Sequence, residues 1–160
     1  MVEEILHTFE ATLNFIENSV ADLKDKELIQ HPVGFPHHGI WILGHLIFSC
    51  QGIAVELGID PWLPDDWESK FGYGSKPISD LEHYPKKTEL LNLLNDSKNR
   101  LREKVVNLAD TELKKSLPDA SLPTVSHLLL QVIIAHTAYH AGQLTSWRRG
   151  IGKKSIGVFV

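Results

Sequence analysis

The chain has very little sulfur: one cysteine, Cys50, and one methionine in 160 residues. A lone cysteine excludes an internal disulfide and any metal cluster held by several thiolates. Cys50 lies within the apolar stretch IWILGHLIFSCQGIAVEL, where cysteine reads as a small buried hydrophobe. Charge of one sign is also scarce. The 16 basic and 20 acidic residues leave a formal net charge of -4, and no segment gathers lysines and arginines into the stripe a phosphate backbone requires. A nucleic-acid partner is therefore not expected. No apolar run reads as a membrane span, and the opening MVEEILHTFEATL is acidic where a secretory signal is basic. The expectation is a soluble, cytoplasmic protein with no membrane partner. G-x-S-x-G, the P-loop, the dinucleotide fingerprint and C-x-x-C are missing too, which removes the commonest nucleophile, nucleotide and redox motifs.

The remaining composition is ordinary. Hydrophobic residues make up 42% and charged ones 22%, and 160 residues suffice for one domain with a continuous apolar core, so residues 1–160 are read as a single domain. Val2, Ile5, Leu6, Phe9, Leu13, Ile16 and Val20 recur at three- and four-residue intervals and predict a helix over 2–21. DKELIQHPVGFPHHG, with two prolines and two glycines, predicts a loop. A second helix is expected from Ile40 to Leu57, stopped by Gly58 and apolar nearly all the way round, so it is either central or part of a subunit interface.

The segment GIDPWLPDDWESKFGYGSKPISDLEHY then reads as a long loop across one end of the molecule, rich in Gly, Pro and Asp yet holding five aromatics. Pro85 suits the first turn of a third helix, with Leu90, Leu91, Leu94, Leu101, Val105 and Leu108 on one side. Pro123 or Thr124 opens a fourth, through Leu128, Leu129, Val132 and Ile133 to Trp147. Arg148 and Arg149 there complement the macrodipole, and Gly150 supplies the stop. The tail SIGVFV is expected to pack back on the body. Four such patterns without strand alternation give an all-α four-helix bundle with a long loop between helices two and three.

The chemistry is carried by histidine. In AHTAYHAGQL, His136 and His140 stand one turn apart, and at about 100° per residue both imidazoles face nearly the same way. They continue the apolar stripe of Leu129, Val132 and Ile133, and Gln143 shares their direction. Imidazoles on a core face need polar partners, since each unsatisfied buried group costs about 1 to 3 kcal/mol. A divalent ion supplies one, given a third ligand. His45, within the apolar run IWILGHLIFS, is the candidate; taken alone it would be a core histidine bonded to a carbonyl. Three histidines leave positions open for water or substrate, as catalytic sites do. His7, His37, His38 and His83 read as surface or loop residues. His127, nine residues before His136, falls on the opposite side of helix four. Cys50 with His45 fails as a nucleophile pair because five residues turn the side chains about 140° apart.

GIWILGHL in the second helix together with AHTAYHAGQL in the last resembles the DinB-like superfamily of four-helix metalloproteins, over nearly the whole chain. The resemblance implies an up-down-down-up bundle of the DinB/YfiT kind, often a homodimer. It implies a divalent zinc, nickel or iron ion held at one end by residues matching His45, His136 and His140. Characterised members include transferases and isomerases that use low-molecular-weight thiols, so a thiol or another small molecule is the implied partner. Trp41, Tyr139 and Gln143 are then expected to shape a substrate pocket. The function expected is a metal-dependent thiol S-transferase or hydrolase, with a non-catalytic metal- or ligand-binding stress-response module as the alternative. The missing acidic neighbour of the histidine pair counts against the hydrolase.

Overall fold

The computed structural model describes residues 2–157. Helix α1, Val2–Ala21, turns Ile5, Leu6, Phe9, Leu13, Ile16 and Val20 inward as the periodicity requires. Each such side chain contributes about 1.5 to 3 kcal/mol on full burial. The proline-rich connection is not all loop, because Asp25–Leu28 forms a four-residue helix, α2, that buries Leu28. Helix α3 spans Gly39–Glu56 and buries residues all round its first two turns. By length and composition α3 could cross a membrane, which the sequence reading did not expect; 67% of it is buried inside the bundle, so its apolar character belongs to the core.

The long connection that follows contains α4, Trp67–Phe71, and a 3-10 turn at Leu81–His83. Helix α5 is Lys87–Val106, so Pro85 stands ahead of the N-cap residue Lys86 rather than in the first turn. A short α6, Asp110–Leu113, precedes the last rod. There Thr124 is the N-cap of α7, Val125–Leu128, which runs into a π-helical stretch, Leu129–His136, and on into α8, Thr137–Gly150. Among the described residues no strand forms; Ser116 and Thr124 make an isolated antiparallel bridge. Of the tail, Ser155–Gly157 takes no regular structure with Ile156 half-buried, and Val158–Val160 lie outside the described residues.

Helix directions follow from which ends meet. The Lys87 ammonium at the start of α5 donates to the Val20 and Ala21 carbonyls at the end of α1, at 3.3 and 3.1 Å. That contact satisfies orphan helix-end acceptors. Gly39 opens α3 so close to Leu28 and Trp147 that a Cβ there would come within 3 Å of both. Arg148, near the end of α8, bonds Asp22 just past the end of α1. So α1 and α8 end where α3 and α5 begin, which is up-down-down-up. Helix α3 packs on α5 and α8, and α1 packs on the same two from the other side.

The π-helical stretch decides what the last rod presents to the core. Val125, Leu129, Ile133, Thr137 and Ala141 are all buried and recur every four residues. In a uniform α-helix of 3.6 residues per turn that column would drift by about 160° over four steps. The wider turn closed by i→i+5 bonds, roughly 4.4 residues, drifts the opposite way and nearly cancels it. The uniform fourth helix expected from the apolar spacing is thus interrupted by a π-helical register.

Candidate metal centre

Three elements converge midway along the rod just described, where the π-helical stretch passes into α8. His45 comes from the second turn of α3, His136 from the last residue of the π stretch, and His140 from the first turn of α8. His45 is held by α4. Its Nδ1–H donates to the carbonyl oxygen of Phe71 at 2.7 Å, one of the acceptors that the C-terminal end of α4 leaves free. Trp67 of the same helix donates its indole N–H to the Gly44 carbonyl at 3.1 Å. Gly44 lets this docking happen: a Cβ on it would lie 2.2 Å from the Phe71 ring.

His140 is fixed from the other side. Its Nδ1–H donates to Gln143 Oε1 at 2.8 Å, and the Gln143 amide donates in turn to the Tyr139 hydroxyl at 2.8 Å. These bonds commit the Nδ1 protons of His45 and His140 outward and leave both Nε2 lone pairs directed at His136. His45 Nε2 lies 3.2 Å, and His140 Nε2 3.0 Å, from His136 Nε2. The three ligand atoms all lie within 4.8 Å of one another.

The donor set fits a divalent ion. At metal–nitrogen distances of 2.0 to 2.1 Å, adjacent ligands stand about 3.0 Å apart in an octahedron and about 3.4 Å in a tetrahedron, which brackets the two short separations. Hydrogen bonding within the triad does not satisfy it. A single proton on His136 Nε2 has two lone pairs to serve, and His136 Nδ1 is buried without a partner. A proton on Nδ1 instead would set three lone pairs face to face, an arrangement a cation relieves.

Protonation does not interfere. Burial, and then the neighbouring His45, lowers His136 from 6.5 to about 4. Burial and the two other imidazoles lower His140 to about 3. His45 is lowered by burial, opposed by its bond to Phe71. All three are neutral at pH 7, the form that ligates metals. Among the described residues no carboxylate is a hydrogen-bond partner of the three.

The residues around the triad take distinct places. Trp41 is buried, lies parallel to the His45 ring with centroids 4.6 Å apart, and donates its indole N–H to Ser75. Gln143 is half-buried as the partner of His140. Tyr139 is 61% exposed and edges against His140. His38, expected at the surface or in a loop, does precede the helix but is fully buried as the N-cap of α3, where its Nδ1 accepts from the Trp41 backbone N–H at 3.1 Å. His37 is half-buried and stacks on Trp41 at 3.6 Å. The signal for both was the capping position before an apolar helix. His127 is exposed and bonded to Thr124, outside the site as expected. Cys50 is buried and its thiol is pushed up to about 12, so it is inert.

The comparisons agree with this architecture. The fold is similar to that of a conserved protein from Enterococcus faecalis known by crystal structure, with a TM-score of 0.80 over 96% of this chain and 98% of that one. Sequence identity is 19%, so the likeness speaks to the fold alone. No curated protein matches the chain. A family profile described as the DinB superfamily matches residues 8–144, a span that includes all three histidines. With most of its length matched in this way, the chain belongs to the DinB superfamily.

Proposed function

We propose that this protein is a metal-dependent enzyme whose ion is ligated by His45, His136 and His140, and that it transfers a group to a thiol. The observation that carries the reading is the triad itself: three neutral imidazoles turned toward one point, two of them held from behind by Phe71 and Gln143. An ion bound there supplies Lewis acidity enough to deprotonate a thiol, or to lower the pKa of a water toward 7. The residues themselves bind and orient. Phe71 and Gln143 fix the tautomers of His45 and His140, and Trp41 covers the face of His45.

Thiol chemistry is favoured over hydrolysis because, among the described residues, no carboxylate is bonded to the triad. A coordinating thiol needs no general base to ionise, whereas an attacking water in the familiar histidine-ligated hydrolases has one. Elemental analysis of untagged protein is expected to give about one divalent ion per chain, with His140→Ala removing it. Metal-loaded and chelated protein would then be compared on a panel of electrophiles with several cellular thiols. Turnover confined to loaded protein supports the enzyme. Metal without turnover in any pairing points to a non-catalytic module, and absence of metal removes both.

A further inference from the structure

A cleft of about 380 Å³ opens beside the histidines, within the usual range for a small organic ligand. One wall is a stripe of α3, His45, Ser49, Gly52 and Glu56, whose spacing of four, three and four returns each to the same helix face. Leu128, Val132 and His136 of the last rod line it opposite. His45 and Glu56 are eleven residues apart, about 16 Å along the axis, so the imidazoles and the carboxylate stand at opposite ends. Between them the lining is mainly apolar, and Gly52 keeps it open: nothing lies within 4 Å of where its Cβ would sit. Glu56 is exposed and is the one side chain with a full charge among the described residues of the cleft; no lysine or arginine lines it.

We propose, resting on the metal reading above, that this cleft binds the organic substrate that reacts at the histidines. The substrate has an apolar aliphatic or aromatic body and an uncharged or amine-bearing far end, and it is not a carboxylate- or phosphate-tailed molecule. The apolar walls carry the affinity, since burying the body removes it from water. Glu56 carries the discrimination: an acidic tail brought beside it finds a like charge and no cation in the lining of the cleft, Lys104 and Lys115 lining the separate hollow that Glu56 borders, while an amine finds a partner. Because Glu56 is exposed, that discrimination is modest.

Hydroxamates that share one metal-binding head and differ in the tail test this on the metal-loaded full chain, with affinity read by calorimetry. Octanohydroxamate is expected to bind at least about tenfold tighter than acetohydroxamate. Its ω-amino analogue is expected to bind about threefold tighter than its ω-carboxy analogue. Gly52→Leu, which fills the cleft while improving helix propensity, should erase the tail advantage and leave metal content and acetohydroxamate affinity unchanged. Glu56→Gln should make the amino and carboxy analogues equal. Equal affinity for octano- and acetohydroxamate in the parent protein, or a tail advantage that survives Gly52→Leu, overturns the inference alone, with the metal reading intact. Protein that takes up no metal and binds no acetohydroxamate overturns both.

Discussion

The backbone of Phe71 and the side chain of His45 form one unit: the carbonyl that ends α4 receives the Nδ1 proton of the imidazole at 2.7 Å, and the Phe71 ring lies over Gly44, the residue before it. A connection that looks like a surface loop thus sets the tautomer of a proposed ligand. Gly44→Ala would place a methyl 2.2 Å from the Phe71 ring and force α4 outward. The expected result is a loss of about 10- to 100-fold in metal affinity, the usual cost of removing a partner behind a ligating histidine. Overpacking should also cost about 1 to 3 kcal/mol of apoprotein stability. Competition against a chelator gives the first quantity and urea unfolding the second. Unchanged metal affinity would separate α4 from the site.

Gln143 does for His140 what Phe71 does for His45. Gln143→Leu removes the acceptor at Nδ1 and should weaken metal binding by about tenfold or more, while Gln143→Glu, which still accepts that proton, should hold affinity near the parent value. Tyr139→Phe removes only the outermost link and should leave affinity unchanged. The three variants measured together distinguish tautomer control from a general effect of altering α8. Equal losses in Leu and Glu would discard the tautomer account.

The fold and the triad were legible because periodicity and spacing are local. Helix α1 was readable from Val2 to Ala21, and the H-x-x-x-H spacing holds because the α-helix resumes after His136. What escaped depends on neighbours distant in sequence. The helical piece Trp67–Phe71 is five residues long and exists by packing Trp67 and Phe71 on α3, which no window of its own sequence reveals. His38 and His37 looked like loop residues because the segment before them holds two prolines and a glycine. The π-helical register was hidden for another reason: four-residue spacing of apolar side chains is compatible with either helix until the packing partner is known.

Arg148 does more than complement the macrodipole, since its side chain is only 4% exposed. It makes a two-pronged pair with Asp22 at 2.6 and 2.8 Å and also donates to the carbonyls of Ser19 and Lys154. Asp22 is 54% exposed, so the two partners are not equivalent. Asp22→Ala leaves a buried cation without its counter-charge and should cost about 3 kcal/mol. Arg148→Met keeps the packing and lets the carboxylate turn to water, so the expected cost is smaller, about 1 to 2 kcal/mol. Urea unfolding of both apoproteins at pH 7 measures the order. Equal costs, or the reverse, would show that the buried guanidinium is satisfied by its carbonyls alone.

His38 gives the apoprotein an acid limb that can be assigned to one side chain. Its Nδ1 accepts from the Trp41 N–H and its Nε2–H donates to the Ile78 carbonyl at 3.1 Å, so the neutral ring has both nitrogens engaged. A second proton would have to displace the Trp41 bond. Burial, against the bond to Ile78, lowers the ring from 6.5 to about 4. The unfolded chain therefore takes up this proton first. Stability from His38 is complete above pH 6.5, falls as pH drops through the window to about 4, and falls no further below it. That shift corresponds to about 3 kcal/mol, with a slope of up to about 1.4 kcal/mol per pH unit. His37, His136 and His140 are lowered as well, so the parent profile contains several such contributions. His38→Asn retains a capping acceptor for the α3 N-terminus and removes one of them. Urea unfolding of metal-free protein between pH 7 and 4 should show a lower plateau for the variant at pH 7 and a shallower descent on acidification. Parallel profiles for parent and variant would mean that His38 takes up its proton equally well in the fold and in the unfolded chain, so that neither burial nor the Trp41 bond holds it neutral.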